Sequence, residues 1–352
     1  MKKRILFISI VIIIGGIFLA ALQLFIQPQL VVGNQLQLKS TFTHHTNDVW
    51  EVKFSPNDTI MVSGGIEQNT KIWNRITGEV LHNLPHEIGS PAVDFNSIGT
   101  IVATGAYDGN VRLWDVNSGK LLKILTGNKG TIWSVDFNPK GNLIAAGSDD
   151  DKVTVWNVES GEIVHEFLEA THNIWEVVFN PTGEYLAASG SDNLIRIYSM
   201  NTGKLLKTIV GHSMVPLSMD FSPNGKLLAS AGDDKTIKIW DTNNWKLLHT
   251  LVGENEAIHS VVFVGNDRVL AGGTDKNIVG ELLEYHLNFK GFVKPINAIL
   301  WDINKETILQ TISTHTDDIG LGMDVCSDGK LIATPSKDGT VKVWSVNSLN
   351  KW

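Results

Sequence analysis

Histidine, aspartate and a hydroxyl residue are the side chains of a nucleophilic triad, and this chain offers the trio several times over. His212, Ser230 and Asp234 form one, His86, Thr104 and Asp108 a second, and His315, Thr334 and Asp338 a third. In each, the aspartate stands six residues before a tryptophan: Trp240, Trp114 and Trp344. An active site needs such a trio once. A trio that returns in register with a tryptophan reads as a structural device. Other chemistry is thinner still. Asp149, Asp150 and Asp151 lack the spaced oxygen ligands and terminal glutamate of a calcium loop. No Gly-rich phosphate loop, HExxH or GxSxG occurs. The single cysteine, Cys326, excludes a disulfide framework and a cysteine metal cage, and no basic neighbour activates its thiol. No catalytic, cofactor-binding or metal-ligating residue is expected, and the chain reads as a non-enzyme.

The elements that carry these residues are short strands. Residues 227–241, LLASAGDDKTIKIWD, alternate as a strand, turn at Gly232-Asp233-Asp234, and alternate again up to Trp240-Asp241. Variants recur. Trp73, Trp114, Trp156, Tyr198, Trp240, Trp301 and Trp344 are separated by 41, 42, 42, 42, 61 and 43 residues. Each unit adds a first strand ending in an aromatic, as at Phe54, Phe137 and Phe179, and a turn such as NPKG, NPTG or SPNG suited to type I geometry. A fourth strand follows, for example residues 120–125 or 204–210. Four strands in about 40–45 residues is the period of a propeller blade.

Over residues 35–352 the chain resembles the WD-repeat (WD40) family of β-propellers. The resemblance implies an all-β, seven-bladed propeller of four-stranded blades. It implies that His, Ser or Thr, Asp and Trp form a hydrogen-bonded staple within a blade, complete here in blades two, five and seven. Elsewhere the pattern is broken: Glu67 replaces Asp in blade one, Asn128 and Ala146 stand in blade three, Ala188 and Tyr198 in blade four, and Glu254 or Asn255 replaces the histidine of blade six. Those blades are expected to rest more on packing. Only three strands follow His315, so residues 35–43 are expected to lend the closing strand. The resemblance also implies a monomeric propeller that binds proteins or peptides.

Function is expected where the pattern departs from the repeat. The step of 61 puts about 20 extra residues, 277–295, between strands two and three of blade six, with Tyr285 and Phe289 among them. They read either as a surface hairpin or as part of a binding face. Trp50, Trp133 and Trp175 share one position at the start of the first strand, where blades two, five, six and seven have Pro91, Leu217, His259 and Leu321. In the family this is the channel's top mouth. The indoles, with His259, Tyr285 and Phe289, form a candidate binding face, or the indoles merely pack. A carbohydrate binder or propeller enzyme of the cell envelope is the alternative. It needs carboxylates at the mouth, and Asp48, Glu51 and Glu176 are nearest in sequence.

Residues 5–26 carry no charge and follow Lys2, Lys3 and Arg4. That length suits a signal-anchor across a bilayer, with the N-terminus cytoplasmic, the propeller outside and residues 27–34 as linker. The alternative is a cleaved signal peptide and secretion. The remaining chain holds 26 basic and 37 acidic residues, a net charge of −11, which argues against nucleic acid as a partner.

Overall fold

The structure, a computed structural model, describes residues 35–253, 257–274 and 296–347. The expected signal-anchor, the linker through residue 34, the blade-six insertion with Tyr285 and Phe289, and Glu254 and Asn255 lie outside the described residues. Among those described, no helix is long and apolar enough to cross a membrane.

Seven four-stranded antiparallel sheets make the seven blades. After β1 (Leu36–Phe42), blade one is β2 (Val49–Phe54), β3 (Ile60–Gly65), β4 (Asn69–Asn74) and β5 (Val80–Pro85). Blade two is β6 (Ala92–Phe95), β7 (Ile101–Gly105), β8 (Val111–Asp115) and β9 (Leu121–Leu125). Blade three is β10 (Ile132–Phe137), β11 (Leu143–Ser148), β12 (Val153–Asn157) and β13 (Ile163–Phe167). Blade four is β14 (Ile174–Phe179), β15 (Tyr185–Gly190), β16 (Leu194–Ser199) and β17 (Lys204–Val210). Blade five is β18 (Pro216–Phe221), β19 (Leu227–Gly232), β20 (Thr236–Asp241) and β21 (Lys246–Val252). Blade six is β22 (Ala257–Phe263), β23 (Arg268–Thr274), β24 (Ile296–Asp302) and β25 (Thr307–His315). Blade seven is β26 (Asp324–Val325), β27 (Leu331–Pro335) and β28 (Val341–Val346), with β1 as its outer strand.

β1 pairs with β28 from Leu36–Val346 to Phe42–Val341. Gln310 of β25 accepts from the amides of Gln35 and Leu36 at 2.7 and 2.8 Å, which pins the start of the closing strand to blade six. On its other side, blade seven meets blade one partly through backbone bonds. Val52 N–H donates to Gly322 at 3.1 Å, and Gly322 N–H to Trp50 at 3.0 Å. A Cβ on Gly322 would sit 2.4 Å from the Glu51 side chain, so only glycine permits this approach. The core lies between blades: Ala229, Ile237 and Ile239 of blade five pack with Val261, Val269 and Ile299 of blade six, and the other seams repeat the arrangement.

The polar staples sort differently from the sequence pattern. Blades five and seven close. His212 Nδ1 donates to Asp234 at 3.0 Å, its Nε2 accepts from Ser230 Oγ at 2.7 Å, and Ser230 accepts from Trp240 Nε1 at 2.8 Å. His315, Thr334, Asp338 and Trp344 repeat this at 2.9–3.1 Å. Burial lowers the pKa of His212, which keeps the ring neutral and the relay in one tautomer. Blade one closes except at its acid: His45 lies 2.7 Å from Ser63 and Trp73 donates to Ser63 at 3.1 Å, but Glu67, 3.3 Å from His45 Nδ1, leaves that nitrogen without a hydrogen bond. The extra methylene of Glu67 lets it reach Lys71 as well, at 2.7 Å.

Blade two does not close. Trp114 donates to Thr104 at 2.9 Å, but Arg112 takes Asp108 with both guanidinium nitrogens at 3.1 and 2.5 Å. Neither nitrogen of His86 then has a protein partner, and its ring stands edge-on to Trp114 at 5.7 Å. The cause is Arg112 where blade five has Lys238: a planar fork outcompetes an imidazole for a carboxylate. Arg196 takes Asp192 in blade four the same way, and Tyr198 stacks on Phe167 at 4.0 Å instead.

Each of these trios is closed to substrate. Ser230, Thr334 and Ser63 are fully buried, and their hydroxyls are capped by an indole N–H. Ser230→Ala would strand the buried Trp240 N–H and one nitrogen of His212. We expect it to cost about 2–4 kcal/mol in urea unfolding. A loss below ~0.5 kcal/mol would show that packing alone holds the blade.

Candidate functional site: the channel and its mouth

The first strand of each blade faces the channel, and five of them break register at one place. The shift falls between Val49 and Glu51, Ile132 and Ser134, Ile174 and Glu176, Pro216 and Ser218, and Ile258 and Ser260. The residue skipped is Trp50, Trp133, Trp175, Leu217 and His259 in turn. A bulge releases its extra residue from the ladder and re-aims the side chain. The position singled out by its tryptophans is therefore a bulge position, half-buried at the mouth where the first strands begin.

Trp133 and Trp175 meet there, ring centroids 4.9 Å apart. Trp133 Nε1 donates to Asp149, which also accepts from Asn173 at 2.9 Å, and Trp175 Nε1 donates to Ser191 at 2.7 Å. Tyr107 of blade two stands edge-on to Trp133 at 5.9 Å, and its hydroxyl lies beside the Trp50 indole. Lys337 holds its ammonium 5.0 Å above the Trp50 ring while paired with Asp318 at 3.1 Å. The mouth thus carries an arc from Trp50 through Tyr107 and Trp133 to Trp175. His259 is apart from it, its Nδ1 3.1 Å from the Ile319 carbonyl, in the seam between blades six and seven. Tyr107 was not singled out by sequence. Its signal is the residue just before the turn carboxylate, the position that also supplies Asp149, Ser191 and Lys337.

Below the mouth lies a cavity of about 450 Å³. Its lining runs from Leu321, Glu51 and Glu176 down past Lys53, Asp136, Asp220 and Asp324 to the turns at Pro223, Asn266 and Asp328. Of the carboxylates named from sequence, Glu51 and Glu176 line it and Asp48 does not. The indoles of the arc are not part of its wall.

Most of the carboxyl groups bridge to the next blade. Asp94 accepts from Phe137 N–H at 2.8 Å, Asp136 from Phe179 at 2.6 Å, Asp220 from Phe263 at 2.7 Å and Asp324 from Phe54 at 2.7 Å. One tier nearer the mouth, Glu51 accepts from Val93 at 2.8 Å, and Glu176 accepts from Met219. Ser134, Ser218 and Ser260 do the same for Val177, Val261 and Met323 at 3.2, 3.1 and 2.9 Å. Each of the seven seams is crossed by at least one such bond.

Gathering so many carboxyl groups in one cavity shifts their ionisation. Burial pushes Asp136 and Asp220 up to about 7 and Asp324 up to about 6. Burial also raises Glu51 and Glu176, and raises Asp94 with the help of neighbouring Asp136. Lys53 occupies blade one's place in the aspartate tier, 3.4 Å from Glu51. Burial opposes its charge, but Glu51, Asp324 and Asp94 outweigh that and keep it protonated. The arrangement stores protons and negative charge. Cys326, Asp58 and Asp328 bring ligand-type atoms within 4.8 Å of one another near the cavity's far end. The Cys326 thiol there is pushed up to about 11 by burial, donates to Asp328 and accepts from Leu331 N–H. It serves as a turn clasp.

These shifts have a sign. Unfolded aspartate titrates near 3.9, so between that value and about 7 the folded state binds more protons at Asp136 and Asp220. Their contribution to stability is fully present below the unfolded pKa and is lost as pH rises through 7. Asp136→Asn/Asp220→Asn keeps an acceptor for the Phe179 and Phe263 amides and removes the titration. We expect the wild-type Tm to fall by several degrees between about pH 5 and pH 8, and the double variant to fall less and melt higher at the upper end. Parallel pH profiles for the two proteins would show that these groups do not titrate there.

Two family profiles match the chain. "Echinoderm microtubule-associated protein second beta-propeller" matches residues 92–248, which hold blades two to five, and "WD domain, G-beta repeat" matches residues 36–74 and 306–345. No curated protein matches the chain. The matches fall on the strands, turns and staples described above, and the chain accordingly carries WD40 repeats in a β-propeller of the WD and echinoderm microtubule-associated type.

Proposed function

We propose that this protein is a non-catalytic, membrane-tethered scaffold that binds a protein or peptide across the mouth face of its propeller. WD40 propellers are commonly protein-interaction scaffolds. The observation that carries the reading here is the arc of Trp50, Tyr107, Trp133 and Trp175. Its rings are half-buried, and Asp149 and Ser191 hold the Trp133 and Trp175 indoles in place by their N–H groups. Rigid aromatics with satisfied polar ends, as at Trp133 and Trp175, present apolar area at little entropic cost, which is how binding hot spots are built. In sequence, the insertion 277–295 falls between β23 and β24.

The tether reading rests on the uncharged run 5–26 behind Lys2, Lys3 and Arg4, which supports a cytoplasmic N-terminus with the propeller outside; cleavage and secretion is the other outcome. β1 starts at the end opposite the arc.

A second reading, a carbohydrate binder or propeller enzyme of the cell envelope, draws on the buried Glu51 and half-buried Glu176, two carboxyl groups with raised pKa values that line one cavity. Capture of partners by the full chain, compared with Trp133→Ala/Trp175→Ala, separates the two. We expect the double variant to lose protein partners by about tenfold or more in affinity with an unchanged melting profile. Unchanged protein capture together with lost glycan binding would overturn the scaffold reading.

A further inference from the structure

The outer rim of blades four and five departs from the acidic character of the body. β17 reads KLLKTIV and β21 reads KLLHTLV, and neither contains an acidic residue. Each turns one side chain fully into the core, Ile209 and Leu251. Leu206, Leu247 and Leu248 are about half exposed and Val210 is 77% exposed. Lys204, Lys207 and Lys246 stand exposed beside them, and none pairs with a carboxylate among the described residues.

The neighbouring rims differ. β13 of blade three is also apolar outward, but it carries Glu166 and follows Glu162. Blade two repeats Lys-Leu-Leu-Lys, yet its Lys123 is bonded to backbone carbonyls of blade three, Val158 and Glu159. Blades four and five are thus an adjacent pair whose outward face carries leucine, valine and lysines without a carboxylate partner, with His249 of β21 paired to Glu306 of blade six at 2.7 Å.

The foot of this rim is also unusual. The turn into β21 holds Trp245 at φ +58°, where blades two, three and four hold Gly119, Gly161 and Gly203 at φ +62° to +78°. A tryptophan in the left-handed region is strained. It leans edge-on against Tyr185 of blade four at 6.1 Å, joining the two blades at their foot.

From these features we infer that the rim of blades four and five docks on an anionic lipid surface. Its leucines and valine enter the headgroup–acyl boundary, and Lys204, Lys207 and Lys246 lie on lipid phosphates. Leucine, lysine and an aromatic at the margin is the composition that seats a protein surface in that layer. Charge selects the occupant. The body carries −11, so an anionic surface is attracted at this basic rim and repelled elsewhere. A second copy would bring lysine against lysine.

The test uses the full chain with a polarity-sensitive dye on Leu248→Cys, in detergent, in phosphatidylcholine vesicles and in vesicles that also contain phosphatidylglycerol. We expect a blue shift on the mixed vesicles, none on the neutral ones, and loss of the shift at high salt or in Lys204→Gln/Lys207→Gln/Lys246→Gln. No shift on mixed vesicles, or one that the triple variant retains, overturns the proposal. A shift in detergent that grows with protein concentration overturns it in favour of a second copy. Flotation with neutral vesicles reports on the N-terminal tether separately, so the two readings can fail independently.

Discussion

An amide N–H on the inner edge of each sheet has to find an acceptor, and the closure of the ring depends on how it does so. The first strand of a blade pairs with its neighbour on one side only. Its other edge faces the channel and the next blade, where an unpaired N–H is costly. This chain answers with side chains. At six of the seven seams a carboxylate from one blade accepts an amide of the next, and at the seam between blades six and seven Ser260 accepts from Met323. The seam between blades seven and one adds direct backbone contact through Gly322.

That solution fills the channel with acid. Glu51 ends up buried and Asp94, Asp136, Glu176, Asp220 and Asp324 half-buried, all with raised pKa values, and Lys53 is the cation set among them. The inter-blade bonds and the proton load of the channel are therefore one feature. It also divides the molecule into two sites of different character. The carboxyl groups line a polar cavity open toward the turns of the far face, and the bulges put indoles at the mouth. The staples within the blades are a third layer, closed to solvent, with the His45 and His212 rings kept neutral by burial.

Much of this was legible in the chain. The 41–43-residue step, strand alternation and turn chemistry are local signals, and they specify seven four-stranded sheets. The staples of blades five and seven followed from residue types alone, because their four members lie within about thirty residues of one another on one sheet. Blade two misled. Arg112 and His86 compete for Asp108, and a motif records which residues are present, while geometry decides which pair forms. The mouth was half-legible: three tryptophans at one position stood out, Tyr107 did not, and Glu51 and Glu176 belonged to the cavity below.

By itself the sequence determined the blades, because a blade is made by residues close along the chain and each must satisfy its own turns, strands and buried indole. Tertiary structure decided what happens between blades. Asp94 meets Phe137, Asp136 meets Phe179 and Asp220 meets Phe263, each across 43 residues, and Asp324 meets Phe54 across 270. Asp94, Asp136 and Asp220 share the place just before the phenylalanine that ends a first strand, but nothing local tells that their carboxyl groups reach the next blade. Their role, their shifted ionisation and the arc of indoles above them exist only once ring closure carries each first strand past the next.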